Sequence, residues 1–199
     1  MNTKENIIDK ALNLFSVRGY EAVSMREIAE ELGMTKAALY KHFESKRDIF
    51  SSIIQRMERE DFCRAQDFDL PVDTVSVDLE SYQRTQFSNL VGFTQSQFYY
   101  WTEDSFASRF RKMLILEKYN DKGMADLFEQ YVCSGPLKYV ADLFCQKFGD
   151  ETVAIYKALE FYAPVFMLYS LYDGAKDKAS VVGMLDEHLR RFQQSMEGE

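Results

Sequence analysis

Apolar side chains return every three or four residues along most of this 199-residue chain, the period of amphipathic helices. Ile7, Ile8, Ala11, Leu12 and Phe15 share one face of a helix predicted from Thr3 to Arg18, and Gly19 ends it. Ser24 opens a second helix. With Glu27 three residues on, it makes a capping box in which each side chain serves the other's backbone N–H. Ile28, Ala29 and Leu32 point inward, Gly33 breaks the helix, and Met34 fills the turn. Thr35 caps a third helix, Lys36 to His42, with Leu39 inward. Ser45 and Asp48 cap a fourth helix that runs to about Ala65, roughly 30 Å.

Gln66 to Val77 carries Pro, Asp and Ser without periodicity and is read as a connection. Helical patterns then return over about Asp78 to Thr94, Glu103 to Tyr119, Asp121 to Cys133 and Pro136 to Phe148. Two longer ones follow, Thr152 to Tyr172 and Asp177 to Ser195. Ser134-Gly135-Pro136, Gly149 and Gly174 are the breaks between them. No strand-like alternation and no internal repeat interrupts the series. The expected class is therefore all-α, and three Pro and nine Gly in the whole chain agree with long helices.

Composition narrows the setting. No apolar run reaches the roughly 18 residues of a membrane span. The longest, Phe161 to Tyr172, contains Pro164 and Ser170 and reads as a buried helix. The N-terminus MNTKENIIDK lacks the apolar core of a signal peptide, so a cytoplasmic location is expected. Cys63, Cys133 and Cys145 fit neither a disulfide framework nor a zinc pattern and read as reduced thiols. No metal and no cofactor is expected. An enzyme finds little support: the two His, His42 and His188, lie far apart, and no phosphate-cradling Gly loop or nucleophile elbow is present.

Net charge of −8 argues against a nucleic-acid partner until it is divided along the chain. Residues 1–60 hold ten basic and ten acidic groups, and residues 61–199 hold fourteen and twenty-two. Thr35 to Arg47 contains Lys36, Lys41, Lys46, Arg47 and His42 against a single Glu44. The field at a docking face, not the sum over the chain, governs phosphate contact.

The second and third helices read as a helix-turn-helix. Ile28, Leu32, Leu39 and Phe43 form the seam. Ala37 and Ala38 keep the start of the third helix slim enough to approach a groove floor. Lys36, Tyr40 and Lys41 point outward, Thr35 offers a hydroxyl and an N–H to a phosphate, and Lys46 offers a second phosphate clamp. Base reading falls to Lys36, Ala37, Tyr40 and Arg26.

Gly19 to Phe50, GYEAVSMREIAEELGMTKAALYKHFESKRDIF, closely resembles the N-terminal signature of the tetracycline-repressor (TetR) family of transcriptional regulators. The matching parts are Gly19-Tyr20, Ser24 to Ala29, Leu39 to Phe43 and Ser45-Lys46. The resemblance implies an all-helical homodimer with about nine helices per subunit. Residues 1–47 would be the DNA-binding head. Residues 48–199, joined through the helix that starts near residue 46, would be a ligand-binding and dimerisation domain. It also implies contacts to double-stranded DNA from Ser24, Arg26, Thr35, Lys36, Tyr40, His42 and Lys46. The family's usual action is repression, released when a small-molecule effector binds. A regulator switched by a protein partner, with no small ligand, is the alternative.

Two surfaces in the remainder follow from the apolar pattern. Phe161, Val165, Leu168 and Tyr172 form one stripe of their helix, and Tyr162, Phe166 and Tyr169 form another. One stripe is usual for a surface helix, so the second suggests a partner subunit. With Val182, Leu185, Leu189 and Phe192 of the last helix, the first stripe is expected to form a four-helix dimer bundle around a two-fold axis. Aromatic residues crowd between Phe87 and Tyr119. Phe98, Trp101, Phe110 and Met113, with Tyr131, are the expected lining for an apolar or planar ligand.

Overall fold

A computed structural model describes residues 3–68, 70 and 87–197. Among these residues there are ten helical segments and no strand. They are α1 (Thr3–Arg18), α2 (Met25–Glu31), α3 (Lys36–Tyr40), α4 (Lys46–Asp67), α5 (Phe87–Glu103), α6 (Ser105–Glu117), α7 (Lys122–Val132), α8 (Ser134–Phe148), α9 (Glu151–Gly174) and α10 (Lys178–Glu197). The all-α expectation stands. The connection read at Gln66 to Val77 and the start of the helix read from Asp78 lie largely outside the described residues.

The chain divides into two compact units. The first holds residues 1–61 and 104–128, so α6 joins the first three helices although Tyr40, the last residue of α3, lies well before Ser105 in sequence. Its core is Ile7, Leu12 and Phe15 of α1, Ile28 of α2, Leu39 of α3, Ile49 and Ile53 of α4, and Phe106, Phe110 and Met113 of α6. The α1–α6 pair makes the broadest helix contact in this unit. Arg109 and Asp9 tie it with an ion pair of 2.5 Å. Arg56 stacks its guanidinium on the Phe106 ring, 3.9 Å from the centroid.

The second unit holds residues 62–103 and 129–199. Here α9 packs on α8, α10 and α5. Phe144, Phe161 and Phe192 meet in an aromatic knot, with Phe144 and Phe192 stacked at 6.0 Å. The helix ends follow local chemistry. Asp104 accepts hydrogen bonds from the backbone N–H groups of Phe106 and Ala107 and so starts α6. Asp150 does the same for Thr152 and Val153 at α9. Pro136 lies in the first turn of α8, where its missing N–H has no helical partner to lose, so the helix starts at Ser134 rather than at Pro136.

The structure corrects one element and one surface. The expected helical patterns, Asp78 to Thr94 and Glu103 to Tyr119, leave Gln95 to Thr102 unassigned, and α5 is continuous through it. The hydroxyls of Thr94 and Thr102 bond the carbonyls of Leu90 and Phe98 one turn back, so these polar residues sit inside the helix. The stripe assigned to the dimer is interior. Phe161, Val165, Leu168, Tyr172, Leu185, Leu189 and Phe192 are all buried within the subunit, and Val182 is half-buried. Both stripes of α9 satisfy the helical period, and side chains of α5, α8 and α10 pack on the one assigned to the partner.

Candidate nucleic-acid interface

The first unit presents a helix-turn-helix. Ser24 and Glu27 form the expected capping box at α2, with the Glu27 N–H donating to Ser24 Oγ at 3.3 Å and the Ser24 N–H donating to Glu27 Oε2 at 2.8 Å. Gly33 turns the chain with φ of +63°, the left-handed region that glycine enters without steric cost. Thr35 Oγ1 accepts from the Ala38 N–H and starts α3. Ile28, Leu39 and Phe43 are buried in the seam. Leu32 and Met34 are half-buried beside it.

Outside the seam, Thr35, Lys36, Ala37, Tyr40 and Lys41 are exposed together along α3 and its C-terminal residue. The Lys36 ammonium lies 5.7 Å from the centre of the Tyr40 ring, so the two side chains form one basic, aromatic surface. Ser24 and Arg26 are exposed at the start of α2, with Arg26 paired to Glu30 one turn on at 2.7 Å. His42 is half-buried where α3 ends.

Lys46 departs from the expected phosphate clamp. Its side chain is only 20% exposed. Its ammonium donates to the Tyr20 carbonyl at 2.7 Å and sits over the Tyr20 ring, 4.2 Å from the centroid. Glu21 adds a backbone carbonyl at 3.4 Å and a carboxylate at 3.9 Å. The cation is engaged within the chain rather than extended outward.

Tyr20, which the sequence marks only as part of the Gly19-Tyr20 signature, is the hub of this turn. Its ring packs against Phe15 at 5.1 Å and Phe50 at 5.2 Å. Its phenol is raised above the ordinary range by burial first and by neighbouring Glu21 second. Its backbone N–H donates to Glu117 Oε1 of α6 at 2.9 Å. The Arg18 guanidinium meanwhile donates to Glu27 at 2.5 Å and to the Ala22 carbonyl at 3.2 Å. Together with the hydrogen bonds from Ser24, this holds the Glu27 carboxyl at about 2. The α1–α2 turn is thus fastened to α2, α4 and α6 at once.

The ligand-lining candidates fall in separate units. Phe98, Trp101 and Tyr131 belong to the second unit. Phe98 stacks on Tyr169 at 5.2 Å and Trp101 meets Tyr131 edge-on at 6.2 Å. Phe110 and Met113 are fully buried in the core of the first unit. Among the described residues no cluster of three or more His, Cys, Asp or Glu side chains could hold a metal ion. No helix there is long and apolar enough to cross a membrane.

A sealed seam, a glycine turn and a slim basic outer helix define the class: a helix-turn-helix head of the kind that enters a DNA groove. Residues 7–53 match the family model described as bacterial regulatory proteins, tetR family. The match covers the N-terminal head, about a quarter of this chain. The chain is 45% identical over 56 residues to the HTH-type transcriptional regulator AcrR of Shigella flexneri, which is 28% of this chain and 26% of the relative. It is 40% identical over 52 residues to the icaADBC negative transcriptional regulator IcaR of Staphylococcus aureus, 26% of this chain and 28% of the relative. The matched stretch therefore spans about a quarter of these curated relatives. The whole fold is similar to that of a transcriptional regulator from Aquifex aeolicus VF5. There the TM-score is 0.65 at 17% identity, covering 95% of this chain and 98% of that one.

Proposed function

We propose that this protein is a DNA-binding transcriptional regulator that acts as a homodimer on a palindromic operator and represses the genes beside it. The exposed face of Thr35, Lys36, Ala37, Tyr40 and Lys41 above a closed apolar seam carries this reading. Thr35, Lys41, His42 and Ser24 hold phosphates. Lys36, Ala37, Tyr40 and Arg26 face base edges. Repression is supported by the likeness of the head to that of IcaR, a negative transcriptional regulator.

The dimer surface is reassigned to the opposite side of α9. Tyr156, Leu159, Phe166, Met167 and Leu171 are exposed there at helical spacing, and Met184 is exposed on α10. An exposed apolar face of this size on adjacent helices suits an isologous contact with a second copy. The effector is a small, largely apolar or aromatic molecule taken up among the aromatic side chains of the second unit, around Phe98, Trp101 and Tyr131. Its binding favours a subunit arrangement in which the two recognition helices no longer match major grooves about 34–36 Å apart.

Selection of duplexes from a random library, followed by fluorescence anisotropy on the selected site, tests the reading. Expected is a two-fold symmetric site whose affinity falls steeply with salt. A chain that enriches no sequence at low salt overturns it.

A further inference from the structure

We infer that Glu117, at the C-terminal end of α6, is a positioning residue for the DNA-reading head, acting through the Gly19-Tyr20 turn and Lys46. The inference rests on the reading of that head as a DNA binder. It concerns what holds the head in its binding shape.

The carboxylate of Glu117 is buried against the turn, and Oε1 accepts the Tyr20 N–H at 2.9 Å. That N–H is the first after the glycine that ends α1 and lies beyond the helix. Gly19 stands at φ of +84°, and a Cβ there would come within 2.3 Å of the same Oε1. Two independent demands therefore meet at one glycine: a left-handed backbone and an empty space for the carboxylate. Gly19 closes α1 by donating its own N–H to the Phe15 carbonyl at 2.9 Å. The turn is thus received by α1 on one side and by α6 on the other.

Beyond Tyr20 the connection continues. Its carbonyl takes the Lys46 ammonium at 2.7 Å, and Lys46 is the first residue of α4, three residues after the seam side chain Phe43. The same peptide segment therefore carries Glu117 on its N–H and Lys46 on its carbonyl. The Arg109–Asp9 pair anchors α6 to α1 at the other end of the helix. With one end of α6 tied to α1 and the other to the turn that follows it, α6 sets the position of the turn and, through Lys46, the start of α4 beside α3. A carboxylate is the acceptor suited to this place, because a charged acceptor gives a shorter and stronger hydrogen bond than a neutral one.

The experiment uses the full chain and two variants, Glu117→Ala and Glu117→Gln. Glutamine keeps a side-chain oxygen for the Tyr20 N–H. Amide hydrogen exchange is measured without DNA. Glu117→Ala is expected to speed exchange of peptides spanning residues 18–24 about tenfold or more, with α9 and α10 unchanged, and Glu117→Gln to stay within about threefold of wild type. Anisotropy is measured on a labelled duplex selected by the wild-type chain from a random library. Glu117→Ala is expected to raise Kd about tenfold while the slope of log Kd against log salt is retained, because no phosphate contact is lost. Glu117→Gln should restore most of the affinity. Unchanged exchange at residues 18–24 in Glu117→Ala, a Kd within about twofold of wild type, or equal defects in both variants overturns the inference. If Glu117→Ala exchanges faster throughout the chain, rescue by Glu117→Gln supports the inference and failure of rescue overturns it. A wild-type chain that selects no duplex overturns the DNA reading. The exchange measurements then still decide whether Glu117 holds the turn.

Discussion

Lys46 and Lys36 carry the same charge within one short stretch, yet their surroundings give them different work. The Lys36 ammonium reaches outward beside Tyr40, whereas the Lys46 ammonium is bound to the Tyr20 carbonyl and covers its ring. Lys36→Ala is therefore expected to cost about 1–3 kcal/mol and relax selectivity at the base pair it faces, whereas Lys41→Ala, at a phosphate, shallows the dependence of log Kd on log salt by about one unit. Lys46→Ala is expected to weaken binding and lower the melting temperature with the salt slope unchanged. A titration of each variant at several salt concentrations separates these roles, and a shallower slope for Lys46→Ala would restore it as a phosphate contact. Glu27 supplies a second residue-scale prediction. Its carboxyl is held at about 2 by Arg18 and by Ser24, below the ordinary 4.5. A depressed folded value means that its contribution is present above the ordinary value and is lost as pH falls from about 4.5 toward 2. Glu27→Gln should flatten that part of the acid-unfolding curve of the head, read by circular dichroism. A wild-type slope in the variant would contradict this role.

Among the elements, those with one apolar stripe were legible in the sequence. The helices α2, α3 and α4 start where Ser24, Thr35 and Ser45 predict, because capping and the helical period act between residues a turn apart. The exposed face of α3 was legible for the same reason. Two features were hidden because they join distant parts of the chain. Glu117 lies 97 residues from Tyr20, and it reads as one more acid at a helix end. Lys46 lies 26 residues from Tyr20, and in sequence it reads as part of a basic cluster. The junction of α7 and α8 stands between these cases. Ser134-Gly135-Pro136 announces a break but not how tight it is. A Cβ on Gly135 would fall 2.0 Å from the Gln130 carbonyl oxygen, so the α7 backbone leaves no space for one. Gly135→Ala is expected to destabilise the chain by about 1–3 kcal/mol in urea unfolding, as other overpacked substitutions do. An unchanged midpoint would show that the junction relaxes freely.

For the molecule as a whole, the question posed by α9 is which side meets a second copy. A helix with apolar residues all round satisfies the helical period on every face, so its sequence names the stripes without ranking them. Burial ranks them. Phe161 and Val165 have no exposure, while Met167 is 57% exposed and Leu171 45% exposed. The two sides should therefore respond differently to substitution. Phe161→Ala empties a site in the aromatic knot with Phe144 and Phe192 and is expected to cost about 3–5 kcal/mol of folding stability. A paired Met167→Glu and Leu171→Glu change places two carboxylates on the exposed side, where they are solvated in a lone subunit and desolvated against a partner. It is expected to give a monomer by sedimentation, with helical content retained by circular dichroism and operator affinity sharply reduced, because one recognition helix then engages one half-site alone. A double variant that still sediments as a dimer would move the two-fold axis to another surface. A monomeric wild-type chain would remove the dimer from the proposal while leaving the head's contacts with a single half-site to be measured on their own.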